Sequence, residues 1–364
     1  MSIRIGISGF QAATSPAVGL SVAISLAVEN SDIEIIGVDY TGLATGLLGG
    51  DFIEETVTLP WSDDSDKLAS AWIDLCRERK LQAILPCLDD EIVLLSSREE
   101  LFFEEGIKLL TAPHGAIALT EKMKISSVLA ETKTSLCYPE TQLVKTMSEL
   151  EEVIAVSSFP IVLKGLRREV KFCFSHQECM EDAKALFRLF GDPLLIQEVI
   201  GGEQLSVVGA IGQSGNSLGQ IALKKMGLDN SGKAWSYATL DNPKVSSEIR
   251  EFLREIMWLG PYEVDVIIAE SATYLLDVNP RFPDYIDGFA NTKLNLPQRF
   301  VADWINNGSA CEVASQDDIR VESMILVREF ADLVIDKRKM HNVLRDEFIE
   351  RNVNAGKSNL YWRV

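Results

Sequence analysis

Tyr262-Glu263-Val264-Asp265-Val266-Ile267-Ile268-Ala269, the turn Glu270-Ser271-Ala272, and Thr273-Tyr274-Leu275-Leu276-Asp277-Val278-Asn279-Pro280-Arg281 form the stretch on which the fold turns. Two β-prone runs flank a short polar turn, so an antiparallel hairpin is expected. With Ser271 at the turn centre, Asp265 falls opposite Asp277 and Glu263 opposite Asn279. All four share one face, because strand side chains alternate with period two. The other face takes Val264, Val266, Leu276 and Val278, a set suited to a core. Opposed carboxylates repel unless a cation lies between them. The oxygen ligands Asp265, Asp277 and Asn279 suit Mg2+, which completes its shell with water and phosphate oxygens. Arg281 adds a cation where such oxygens need one. A merely solvated sheet face is the competing reading of the same residues.

Upstream of the hairpin, strands are expected at 159–165, 193–199, 204–212 and 219–225, with helices at 121–132, 177–190 and 246–258. Sheet and helix are segregated there, an α+β pattern. The first 110 residues alternate instead: strand 3–7, helix 16–27, strand 33–38, helix 67–79, strand 83–86, helix 89–97 and strand 108–110. Ser15 is the expected N-cap of the first helix and Pro16 its first turn. Such alternation implies a parallel sheet, whose ligands lie beyond the carboxyl ends of its strands. Ser8, Gly9, Gln11, Asp39 and Asp90 fall at those ends. A helix at 296–306 precedes a small mixed C-terminal element.

The segment 275–281 resembles the closing motif of ATP-grasp enzymes: an acidic residue, one apolar residue, then Asn-Pro-Arg. The resemblance extends backwards in order. Pro160-Ile161-Val162-Leu163-Lys164 is similar to the family's apolar strand ending in a phosphate-binding lysine, and Glu121-Lys122 to its earlier lysine. Ile196-Gln197-Glu198-Val199-Ile200-Gly201-Gly202-Glu203 resembles the hinge that hydrogen-bonds adenine, followed by the ribose-binding glutamate. The likeness covers about residues 1–310, and the first 110 look like the leading domain of carbamoyl-phosphate-synthetase-like members.

The resemblance implies an α/β parallel-sheet pre-ATP-grasp domain (1–112) followed by a two-subdomain α+β ATP-grasp fold. In that fold 113–192 carries the phosphate-binding lysines, 193–310 carries the adenine hinge and the metal hairpin, and 311–364 is a small C-terminal element. It also implies ATP with Mg2+, or Mn2+ in its place. Lys122 and Lys164 would bind phosphates, Gln197, Glu198 and Ile200 the adenine, and Glu203 the ribose. Asp265, Asp277 and Asn279 would hold the metal, while Arg281 and Lys164 would serve the transferred phosphoryl group. The implied activity is ATP-dependent carboxylate-amine ligation through an acyl phosphate. Its substrates would be a small-molecule or peptide carboxylate and an amine, and a homodimer is compatible with it. The alternatives are a carbamoyl-phosphate or biotin-carboxylase-like reaction, or a non-catalytic nucleotide-binding regulatory protein.

Two departures from the family pattern stand out, beside one further loop. Gly165-Leu166-Arg167-Arg168-Glu169-Val170-Lys171 is short and basic where the family has a glycine-rich lid, so either Arg167, Arg168 or Lys171 replaces backbone amides on phosphate or the lid has lost its role. Asp265 and Asp277 stand where many relatives have longer side chains. The stretch from Lys224 to Trp235, with Lys225, Asp229 and Lys233, reads as a loop between strands. It is either a solvated connection or a lid for phosphate or a substrate carboxylate.

Composition narrows the partners. The chain has 364 residues, long enough for two or three packed units, with 35 Lys plus Arg against 54 Asp plus Glu and a formal net charge of −19. That balance argues against a nucleic-acid groove or an anionic membrane surface. Six scattered cysteines fit reduced thiols and a cytoplasmic location. Residues 5–28 carry no charge, but Gly9-Phe10-Gln11 and Thr14-Ser15-Pro16 break the apolar run too often for a membrane span or leader. Cys173, His176 and Cys179 lack a fourth zinc ligand, His114 and His341 lack a nucleophile, and Gly6, Gly9 and Gly19 miss the dinucleotide spacing.

Overall fold

The structure is a computed structural model that describes residues 2–11, 17–28, 32–42, 44–47, 52–165, 170–190, 193–228, 234–308 and 324–327. Ser15, Pro16, Arg167, Arg168, Asp229, Lys233, Cys311, His341 and most of 311–364 lie outside the described residues. The chain divides into two units. One comprises Met1–Thr111 with Phe282–Val301, and the other Ala112–Arg281 with the described residues of Ala302–Arg328.

In the first unit, strands β1 (Ile3–Ser8), β2 (Ile33–Asp39), β3 (Glu55–Thr58), β4 (Ala83–Leu85) and β5 (Lys108–Leu109) form a five-stranded sheet in the order β3-β2-β1-β4-β5. Every pairing is parallel. Helices α1 (Val18–Ala27), α2 (Ser65–Arg79), α3 (Asp89–Ser96) and α4 (Glu99–Glu104) alternate with the strands. The Asp64 side chain accepts from the Asp66 and Lys67 amides and so starts α2. Chain order reverses about β1, and the polar groups at the strand ends there are consumed internally. The Asp39 carboxylate accepts from the backbone amides of Phe10 at 2.7 Å, Gln11 at 3.1 Å and Tyr40 at 2.7 Å. Glu91, not its neighbour Asp90, is buried beside these strand ends. It accepts from the Ser8 and Tyr40 hydroxyls and from Trp72 Nε1, the last at 3.1 Å. Burial pushes its carboxyl up to about 7, against the pull of those donors. The segment 282–301 packs into this unit: the Asp287 amide donates to Ser21 Oγ at 2.9 Å and Asn295 Nδ2 to the Ser25 carbonyl at 2.7 Å.

The second unit holds two antiparallel sheets. The smaller comprises β6 (Thr141–Val144), β7 (Ile161–Gly165), β8 (Val170–Cys173) and β9 (Leu194–Glu198) in the order β6-β9-β7-β8. Its core face packs Val144, Ile161, Leu163 and Ile196 against α7 (Met147–Val156) and α8 (His176–Phe190). The larger sheet runs β14-β13-β10-β11-β12-β15, from β10 (Glu203–Ile211), β11 (Ser217–Leu228), β12 (Ala234–Leu240), β13 (Gly260–Ile268), β14 (Thr273–Asn279) and β15 (Ile325–Val327). Helices α5 (His114–Leu119), α6 (Ile125–Glu131) and α9 (Pro243–Glu255) complete this unit, while α10 (Leu296–Ile305) begins in the 282–301 segment of the first. Asn242 caps α9, with Pro243 in its first turn, so this helix starts three residues earlier than its apolar spacing indicates.

Several expectations change. The segment from Lys224 to Trp235 is not a loop throughout: β11 continues to Leu228, and Trp235 belongs to β12, which was not anticipated. The ring of Trp235 lies over Gly227, where a Cβ would come within 2.3 Å of it. The short strands β3, β6 and β8 and the helix α7 also escape a reading by apolar pattern. Val170 and Lys171, expected as the end of a basic loop, belong to the edge strand β8.

Candidate active site

The hairpin β13–β14 pairs Glu263 with Asn279, Val264 with Val278 and Asp265 with Asp277, the register that its sequence predicts. Nearer the turn the register shifts by one, with Val266 opposite Leu275. The Ala269 amide donates to the Ala272 carbonyl at 3.0 Å, so Glu270 and Ser271 alone make the turn. Leu276 is the extra residue of a bulge that restores the acidic pairing. Consequently Leu275, wholly buried, fills the core position expected for Leu276.

Strand neighbours complete this face. Ser206 on β10 lies opposite Asp265, and its hydroxyl donates to Asp265 Oδ1. Lys225 Nζ on β11 lies 2.9 Å from Asp265 Oδ2, with the lysine side chain only 13% exposed. Burial works against the Lys225 charge, but Asp265, Glu263 and Asp277 together hold its ammonium above the usual lysine range. Asn279 Nδ2 and an Arg281 guanidinium nitrogen each lie 3.3 Å from Glu263 Oε2. From the segment before α6, Lys122 Nζ lies 3.9 Å from Asp277 Oδ2.

Lys164, near the end of β7, belongs to the same electrostatic group. Burial lowers its ammonium to about 8, Asp277 and Asp265 pulling it back up and Lys122 pushing it further down. A lysine so desolvated gains from any anion brought to it. Lys171, by contrast, pairs with Leu163 and by alternation takes the face opposite Lys164, so it does not replace a lid on that face. Phe172, opposite Val162, shares the Lys164 face.

The hinge residues are placed differently. Gln197 is buried and donates to Thr141 Oγ1 at 2.8 Å. Glu198 Oε1 accepts from the Glu140 amide at 2.8 Å, while Ile200 is half-buried in the following turn. Glu203 is ion-paired with Lys224. Three residues from Ser206 on one strand, it takes the opposite face of the sheet from Asp265 and Asp277. Gly201 has open space at its Cβ position, whereas a Cβ on Gly202 would stand 2.3 Å from the Ile268 carbonyl oxygen. The close approach that Gly202 permits is therefore to β13.

Residues 140–283 match the family model described as an ATP-grasp domain. That segment is similar to an ATP-grasp domain. Among solved structures, the ADP complex of an N5-carboxyaminoimidazole ribonucleotide synthetase matches with TM-score 0.64 and 14% identity, over 82% of this chain and 76% of that one. The L-amino acid ligase from Bacillus licheniformis matches with TM-score 0.63 and 14% identity, over 83% and 74%. The biotin carboxylase domain of the 2-oxoglutarate carboxylase from Hydrogenobacter thermophilus gives TM-score 0.67 and 16% identity, over 88% and 72%. No curated protein matches the sequence. The chain shares its fold, an N-terminal parallel sheet with antiparallel sheets after it, with these solved structures.

The match to an ATP-grasp domain implies a nucleotide and a divalent cation, and the donor set on the hairpin is of a kind that fits a divalent cation. Among the described residues no three His, Cys, Asp or Glu side chains form a ready-made metal cage. Two carboxylates and one amide oxygen leave the remaining positions to water and phosphate, which is how Mg2+ is usually held. Lys122 and Lys225 already approach those carboxylates, so the face attracts cations. Cys173 and Cys179 are buried against each other in the small sheet's core while His176 is exposed. No helix among the described residues is long and apolar enough to cross a membrane.

Lys225, Ser206 and Glu263 are the site-face residues that motif reading left unassigned. Ser206 was detectable as a lone polar residue in the apolar run Leu205-Ser206-Val207-Val208. Glu263 already follows from the hairpin register. Choosing Lys225 over Lys224 needed the β10–β11 pairing, which sets Leu205 opposite Lys224.

Proposed function

We propose that this ATP-grasp protein is an ADP-forming carboxylate-amine ligase. The observation that supports the reading is the gathering of Lys122, Lys164, Lys225 and Arg281 about the acidic face of one hairpin. A carboxylate resists amine attack because its leaving group would be oxide, so it must first be activated. In the proposed reaction a substrate carboxylate oxygen attacks the γ-phosphorus, the bond to the ADP oxygen breaks, and an acyl phosphate forms. The amine then attacks the carbonyl carbon, phosphate departs with the electron pair of the C–O bond, and the amine loses a proton.

Within that reading Lys122 and Lys164 neutralise phosphate charge, and Arg281 faces the phosphoryl group in transfer. Gln197, Glu198 and Ile200 border the base. Asp265, Asp277 and Asn279 hold Mg2+ or Mn2+, which when bound would screen the charge between the phosphates. The carboxylate belongs to an amino acid, a dipeptide or another small molecule, and the L-amino acid ligase among the structural neighbours is in keeping with that.

Release of ADP should appear only when a carboxylate and an amine are both supplied, and a panel of amino acids and peptides assayed by coupled ADP detection tests this. Calorimetry should find nucleotide binding much weaker in chelator than in Mg2+, since bare phosphates would face Asp265 and Asp277. Tight Mg2+-dependent binding with no ADP release for any pair would instead indicate a nucleotide-binding regulatory protein.

A further inference from the structure

Glu263 has no part in the ligand set proposed above, yet it is buried on the same face, 8% exposed, directly across from Asn279. One of its oxygens, Oε2, lies 3.3 Å from Asn279 Nδ2 and 3.3 Å from an Arg281 guanidinium nitrogen. An ionised carboxylate can only accept hydrogen bonds. The amide edge turned toward it must therefore be the NH2, whichever way the amide might otherwise rotate. The amide oxygen Oδ1 is then left on the other side, able to accept or to ligate. An Asn without such a neighbour presents NH2 or oxygen with little preference, and only the oxygen can bind a cation. The same carboxylate holds Arg281 two residues further on.

We propose that Glu263 is a positioning residue that sets the Asn279 amide with its oxygen available to metal and fixes the Arg281 guanidinium beside it. This rests on the reading of the hairpin as a metal-nucleotide site. Groups that orient metal ligands in this way typically change metal affinity by about 10–100-fold when removed.

Mn2+ binding in the presence of ADP, followed by the electron paramagnetic resonance signal of free Mn2+, tests the proposal without turnover. Glu263→Gln should weaken Mn2+ binding by about tenfold or more. In an Asn279→Asp background the same change should cost little, because a carboxylate has two equivalent oxygens and needs no orienting. Glu263→Asp, which keeps the charge but withdraws it from Asn279, should resemble Glu263→Gln and serves if the glutamine variant does not fold. An equal loss in both backgrounds, or none in either, overturns the proposal in favour of a purely structural carboxylate. Asn279→Ala separates the two levels. If it weakens Mn2+ binding while Glu263→Gln does not, only the positioning role fails, whereas unchanged binding in Asn279→Ala overturns the metal assignment itself.

Discussion

Lys164 carries its charge at a cost, since burial, helped by Lys122 and opposed by Asp277 and Asp265, brings its ammonium down to about 8. A methionine of similar length would relieve that desolvation. Lys164→Met should therefore raise the melting temperature by a few degrees at pH 7 while abolishing phosphoryl transfer, a trade of function against stability. Binding of the base should survive, because the hinge around Gln197 lies on another strand. Differential scanning fluorimetry and an ADP-release assay on the same preparation decide the matter. A lowered melting temperature with unchanged turnover would make the lysine a structural prop. Asp277→Asn should cut turnover by on the order of a hundredfold with the fold intact, through lost charge at the metal-binding face. Wild-type activity in that variant would remove the hairpin from the mechanism.

Adjacent elements explain why two neighbouring glycines differ. Gly202 enters β10 pressed against the end of β13, and an added Cβ would meet the Ile268 carbonyl oxygen at 2.3 Å. Backbone cannot swing aside as a side-chain tip can, so Gly202→Ala should destabilise the nucleotide-free protein by about 1–3 kcal/mol. Gly201→Ala meets nothing within 4 Å and should be nearly neutral. Urea midpoints measured without nucleotide test the pair, and equal effects would contradict the strand-entry geometry. Four of the five strands that the sequence does not announce, β3, β6, β8 and β15, are sheet edges, and only β12 lies inside a sheet. An edge strand has a neighbour on one side only and is often half-exposed, so its apolar alternation is weak. Lys171 and Phe172 of β8 are both exposed, whereas the inner strand β7 is an unbroken apolar run up to its lysine.

On the scale of the whole chain, stability should depend on pH through Glu91 as well as through the candidate site. Its carboxyl is raised from 4.5 to about 7 by burial in the first unit. The folded state thus binds the proton more tightly than the unfolded state. The contribution is fully present below the unfolded value and is lost as pH rises through 7. Melting temperatures measured from pH 5 to pH 8 should fall, with a loss on the order of 3 kcal/mol from this group. Glu91→Gln keeps the shape and removes the titration, so its curve should be flatter by that amount. Parallel curves for the two proteins would mean that Glu91 does not govern the slope. The net charge of −19 is offset locally at the candidate site, where Lys122, Lys164, Lys225 and Arg281 gather about Glu263, Asp265 and Asp277.

The sequence by itself determined the alternating first domain and the hairpin with Asp265 opposite Asp277. Strand-helix periodicity and the parity of a β-strand are properties of neighbours along the chain, so they survive in a string of letters. Tertiary structure alone decided that Leu276 bulges and Leu275 enters the core, that Lys225 rather than Lys224 meets Asp265, and that Glu203 takes the other face. It also decided that Glu91, and not its neighbour Asp90, is buried beside the first sheet. Each of these depends on which strand lies alongside. That partner comes from tens of residues away, and a one-residue slip against it reverses every side chain from one face to the other.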